Sequence, residues 1–106
     1  MILTNIEVIP GKRVVRHLGL VQGSTVRAKN VGRDIMASLK NIVGGELKAY
    51  TELMKEARDE ALERMQSEAR SMGANAVVNV RFATTSITAG AAEILAYGSA
   101  VRLQVL

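Results

Sequence analysis

The sequence predicts an α+β domain in two layers, an antiparallel sheet carrying one long and one short helix. Three observations predict it. Apolar residues recur in steps of three and four from Leu47 to Met72, a helical period sustained over many turns. The segments on either side are rich in Val, Ile and Leu and are broken by Gly and Pro, the composition of strands and turns. At 106 residues the chain has room for one such domain, residues 1–106, and no more.

Residues 2–8 and 13–28 read as strands, with Pro10-Gly11 as the turn between them. Gly19 and Gly23 sit inside the second strand, where an isolated glycine marks a bulge or a close backbone approach. No Lys-Ser or Lys-Thr follows them, so they do not open a phosphate-cradling loop. Residues 33–43 read as a short helix: Ile35, Leu39 and Ile42 share a face, Asn30 is a candidate cap, and Asp34 suits the first turn. Gly44-Gly45 ends it.

Residues 46–72 form the long helix. Its apolar stripe is Leu47, Tyr50, Met54, Ala57, Ala61, Met65, Ala69 and Met72. The other face is charged, with Lys55–Asp59, Glu60–Arg64 and Arg64–Glu68 spaced as attractive i, i+4 pairs. Gly73 is placed to end the helix in a left-handed conformation. Residues 75–83 read as a strand with Ala76, Val78, Val80 and Phe82 on one face and Val77, Asn79 and Arg81 on the other. Thr84 to Ala92 reads as a small polar loop. Residues 93–105 read as the last strand, interrupted at Gly98-Ser99, with Leu95, Tyr97, Val101, Leu103 and Val105 sharing a face.

Composition bounds the function. Hydrophobic residues make up 48% of the chain and aromatic residues 3%, so the apolar area is aliphatic and large for a small monomer. Such a surplus points to a subunit interface. There is no cysteine and one histidine, His17, which excludes disulfides and thiolate metal sites. No apolar run approaches the roughly 18 residues of a membrane span. Together with an N-terminus unlike a signal peptide, this gives the expectation of a soluble cytoplasmic protein. The net charge is +4, and the basic residues concentrate before residue 46: Lys12, Arg13, Arg16, Arg27, Lys29, Arg33 and Lys40 against Glu7 and Asp34. A basic half can meet nucleic acid, but three aromatic residues make a thin stacking platform and no DNA- or RNA-binding motif is present.

No catalytic constellation stands out. His17 has no G-x-S-x-G elbow to serve, and a hydrogen-bonded strand histidine explains it better than a general base. Glu56, Glu60 and Glu63 lie on the solvated face of the long helix, and the methionines at helical spacing fit a core better than a thioether site. The segment around Gly44-Gly45 is more suggestive. Glu46 and Tyr50 are four apart on one helical face, and Arg58 returns near that face two turns on. This polar line reads either as a capping and inter-subunit network or as the wall of a ligand site. Glu46 and Glu93 would be the carboxylates of an oxygen-only metal site, with Tyr50 and Arg58 supporting an anionic ligand instead.

These pieces resemble the YbjQ family, whose label is heavy-metal-binding domain. The residues that carry the resemblance are Gly19 and Gly23, Arg33-Asp34, IVGGELKAYTEL (42–53), EARDEA (56–61), EARSMGANAVVNVRF (68–82) and YGSAV (97–101). They span nearly the whole chain in family order. The resemblance implies a dodecin-subunit-like α+β fold and a ring-forming homo-oligomer, a pentamer. The positions matching the family motif are Gly44, Gly45, Tyr50, Arg58, Gly73, Asn75 and Gly98, and Glu46 matches some members. The ligand-binding candidates are therefore Gly44, Gly45, Glu46, Tyr50, Arg58, Asn75 and Glu93. The functional expectation is an oligomeric binding or scaffold protein that is not an enzyme. The alternative is a metal ion or small ligand bound at subunit junctions.

Overall fold

A computed structural model of the protein describes residues 1–27, 45–88 and 91–106. The elements are β1 (Ile2–Leu3), β2 (Lys12–Arg27), α1 (Gly45–Ser71), β3 (Ala76–Thr88) and β4 (Ala91–Val105). The sheet order is β1-β3-β4-β2. β4 pairs antiparallel with both β2 and β3, whereas β1 runs parallel to β3. The sheet is thus mixed, a correction to the wholly antiparallel expectation. The short helix expected over 33–43 lies outside the described residues.

The first strand is much shorter than the expected 2–8. The Thr4 hydroxyl accepts the Ile6 N–H at 3.3 Å, and such local side-chain bonds compete with ladder pairing. The chain still follows β3 a little further, with the Val80 N–H donating to the Thr4 carbonyl at 3.0 Å. At the other end, Thr84 to Thr88 and Ala91-Ala92 belong to β3 and β4, not to a loop. Thr84, Thr85 and Thr88 are β-branched, and their polarity does not keep them out of a half-solvated ladder.

β4 runs unbroken through Gly98-Ser99; the interruption is in β3 opposite. The register slips between Val78 and Arg81, and Asn79 takes a φ of 55°. The bulge swaps the faces of β3. Ala76 and Val78 lie with Val101 and Leu103 on one side of the sheet, while Val77 and Val80 pack on the helix side. The single alternation read across 75–83 is corrected accordingly.

α1 crosses β2 and β4 with Ala57, Ala61, Met65 and Ala69 wholly buried. They meet Val21, Val77, Ile94, Ala96 and Ala100. Three alanines on this stripe let the helix axis sit low on the sheet. Gly23 is where it sits lowest: a Cβ there would collide with the Met65 nitrogen and the Ala61 carbonyl, and would stand 2.7 Å from the Arg64 Cβ. The buried Thr25 hydroxyl donates to the Ala57 carbonyl at 2.8 Å beside this contact. The helix ends in a Schellman turn. Gly73 has φ 84°, its N–H donates to the Arg70 carbonyl at 3.0 Å, and the Ala74 N–H donates to the Ala69 carbonyl at 3.1 Å.

On the solvent side of α1, Lys55–Asp59 (3.7 Å) and Arg64–Glu60 (2.6 Å) form as the spacing predicts. Arg64 does not turn to Glu68. Its guanidinium donates to the Ser24 carbonyl, and Glu68 accepts the Gln22 N–H at 3.3 Å. The principal extents are 55 × 26 × 17 Å, and the shortest allows one sheet and one helix in depth.

Candidate functional site

The expected ligand residues do not converge within one chain. Gly44 lies outside the described residues. Gly45, Glu46 and Tyr50 belong to the first turns of α1, and Arg58 is exposed on the same helix two turns later. Asn75 follows the opposite end of that helix, about 40 Å away at 1.5 Å per residue. Glu93 pairs in register with Val26 and Thr85. Its neighbour Ile94 faces α1, so Glu93 projects from the other side of the sheet.

Asn75 is fully engaged in the fold. Its side-chain nitrogen donates to the Leu103 carbonyl at 3.0 Å, and its side-chain oxygen accepts the Leu103 N–H at 2.7 Å. The amide thereby copies a strand residue and extends the β3–β4 ladder by one pair.

The described residues assemble no metal centre either. Among the described residues no three His, Asp or Glu side chains cluster. His17 is exposed on β2, and the chain has no cysteine. A thiolate or imidazole site for a soft metal therefore does not fit these residues. No helix of the described residues is long and apolar enough to cross a membrane.

The structure exposes three features that sequence reasoning did not single out. The first is an uncovered sheet surface. β2 is an edge strand among the described residues. On the face away from α1 it carries Leu20, 68% exposed, and Val26, 52% exposed, beside the half-buried Leu95 and Tyr97 of β4. The alternation in LVQGSTV held the signal: Val21, Gly23 and Thr25 face the helix, which leaves Leu20 and Val26 outside. The second is an open cleft of about 350 Å³ lined by Glu7, Val8, Ile9, Lys12, Arg13, Val14 and Leu103. The third is a group of arginines at the lower end of the sheet. Arg16 and Arg102 are register partners, and Arg13 pairs with Gln104, two residues along β4 from Arg102.

The comparisons with known proteins agree on kinship. The family model described as "Putative heavy-metal-binding", the YbjQ model, matches residues 1–104. A UPF0145 protein of Hahella chejuensis is 69% identical over 104 residues, covering 98% of this chain and all of that one. A UPF0145 protein of Archaeoglobus fulgidus is 60% identical over 104 residues, covering 98% and 96%. Among solved structures, a protein of unknown function from the DUF74 family of Pediococcus pentosaceus superposes with a TM-score of 0.65. It covers 98% of both chains at 11% identity, a likeness of fold alone.

Proposed function

This chain belongs to the YbjQ family, and from that membership and its uncovered sheet surface we propose that it is a non-catalytic, homo-oligomeric binding or scaffold protein. The observation that carries the reading is the β2 edge with Leu20 and Val26 exposed on its face away from α1, where Glu68 and Arg64 occupy the Gln22 N–H and the Ser24 carbonyl between them. Unpaired strand edges with apolar flanks are templates for pairing with another chain.

A second edge lies across the sheet. β1 and the residues after it follow β3 as far as Val80, so Phe82 to Thr88 have an unpaired side among the described residues. Two unlike edges on opposite sides of one sheet favour a head-to-tail contact, which closes into a ring when the rotation allows. A pentamer of the kind the family resemblance implies fits this arrangement.

Size-exclusion chromatography with light scattering at micromolar concentration tests the reading. The expected result is one multimer whose mass does not change on dilution. A folded monomer under those conditions refutes it.

The second reading is a ligand at a subunit junction. It draws support from the place of Glu93, which stands in register with Val26 on the surface assigned to a neighbour. There Glu93 could face a group from another copy that it cannot reach within its own chain. Calorimetry with divalent cations on the assembled protein tests it, and absence of heat across the series removes it.

A further inference from the structure

At the lower end of the sheet, β2 and β4 place two arginines directly opposite each other, Arg16 against Arg102. Like charges at directly opposed positions, with Cβ atoms roughly 5 Å apart, destabilise a sheet. Arg13 adds a third. Its partner Gln104 is two residues along β4 from Arg102, roughly 7 Å away on the same face. That face is the helix side: the Arg102 guanidinium donates to the carbonyl of Gly73, at the end of α1, at 3.2 Å.

The negative groups nearby form no ion pair with the cluster among the described residues: Glu7 lines one cleft with Arg13 without a salt bridge to it. Glu63 is paired with Arg70 at 3.1 Å, and Glu68 accepts the Gln22 N–H. The carbonyl end of α1 amounts to about half a charge, and Arg102 already caps it. Arg13 and Arg16 are exposed and have no hydrogen-bond or ion-pair partner among the described residues. Two free guanidiniums therefore stand beside a third that a backbone contact holds in place.

We propose that Arg13, Arg16 and Arg102 bind a small, multiply charged phosphate anion. Each guanidinium presents paired N–H donors that match two oxygens of a phosphate, and three arginines that the β2–β4 register brings onto one stretch of the sheet suit a ligand with several such oxygens. The surroundings are exposed, so a singly charged ion gains little there against water. A ligand with two or more charges also removes the Arg16–Arg102 repulsion. The site lies within one chain and holds whether or not copies assemble.

The test uses inorganic pyrophosphate at constant ionic strength, read by calorimetry and by thermal unfolding. The wild-type protein is expected to give saturable heat, one anion per chain, and a raised melting temperature. Arg13→Gln/Arg16→Gln spares the Arg102 contact that closes the helix end. It is expected to weaken binding by at least about tenfold. Without ligand and at low salt, the double variant is expected to melt higher than wild type. The difference should vanish near 1 M salt, where charges are screened beyond about 3 Å.

Absence of saturable heat with the wild type, equal binding by the double variant, or a lower melting temperature of the variant at low salt each overturns the proposal. If the arginines instead seat carboxylates of a second copy, pyrophosphate gives no heat and the double variant loses mass by light scattering, which also overturns it. A monomeric wild type that still binds pyrophosphate would count against the oligomeric reading alone.

Discussion

Replacing Leu20 and Val26 together by serine removes the apolar groups that the β2 surface offers to a neighbour. Fully burying a Leu or Val side chain is worth about 1.5–3 kcal/mol. Leu20 is 68% exposed and Val26 52% exposed in the single chain, so those fractions remain to be gained on assembly. The two together then contribute about 2–3.5 kcal/mol per interface, or roughly 30- to 300-fold in its dissociation constant. Folding of the chain itself should change little, because both side chains point away from the Val21, Gly23 and Thr25 face that meets α1. The assay is light scattering over a dilution series, with circular dichroism as the control for folding. The double variant is expected to dissociate at concentrations where wild type remains whole, with an unchanged helical spectrum. An unaltered assembly across the dilution series would refute the assignment of this face to the interface.

Gly23→Ala is expected to lower stability by about 2–3 kcal/mol, because its Cβ meets helix backbone that can yield only if α1 moves; chemical denaturation measures it. Asn75→Ala removes two hydrogen bonds and strands the Leu103 N–H and carbonyl in a mostly buried position, so a loss of about 2–4 kcal/mol is expected. In a thermal melt that loss is on the order of 10–20 °C for a chain of this size. Addition of EDTA is expected to leave the melting temperature within about 1 °C, since folding of the described residues rests on no metal ligand cluster; a larger fall would reveal a structural metal.

The parts of this fold that were legible in the sequence are those governed by local periodicity. The stripe Ala57, Ala61, Met65 and Ala69 lies in the core as its spacing requires, and Gly73 ends the helix as its lack of a Cβ allows. What was not legible depends on pairing across the sheet. The β3 bulge at Asn79 reverses which of Val78 and Val80 faces α1, and a two-residue alternation cannot record a slip that arises from the opposing strand. Composition extends β1 past Leu3, whereas Thr4, a good strand residue, spends its hydroxyl on the Ile6 N–H. Of the candidate site, motif and helix spacing show nothing of where Asn75 and Glu93 stand across the sheet: Asn75 bonds the β4 backbone and Glu93 lies beyond the sheet from α1. Arg13, Arg16 and Arg102 are far apart in sequence and meet only through the β2–β4 register.

Among the described residues, one sheet and one helix leave apolar surface open on both faces. α1 packs chiefly over β2 and β4, so the helix side of β3 keeps Phe82 46% exposed in line with Ala96. The opposite side keeps Leu20 and Val26 open along β2. These two apolar areas lie on different faces and near different edges of the sheet. A contact that used either area against itself, as a twofold axis requires, would leave the other in water. A contact that sets one against the other serves both and repeats from copy to copy until it closes. On the proposed ring, the dissociation of Leu20→Ser/Val26→Ser is expected to proceed directly to monomers; a stable dimer in the light-scattering dilution series would count against the head-to-tail contact.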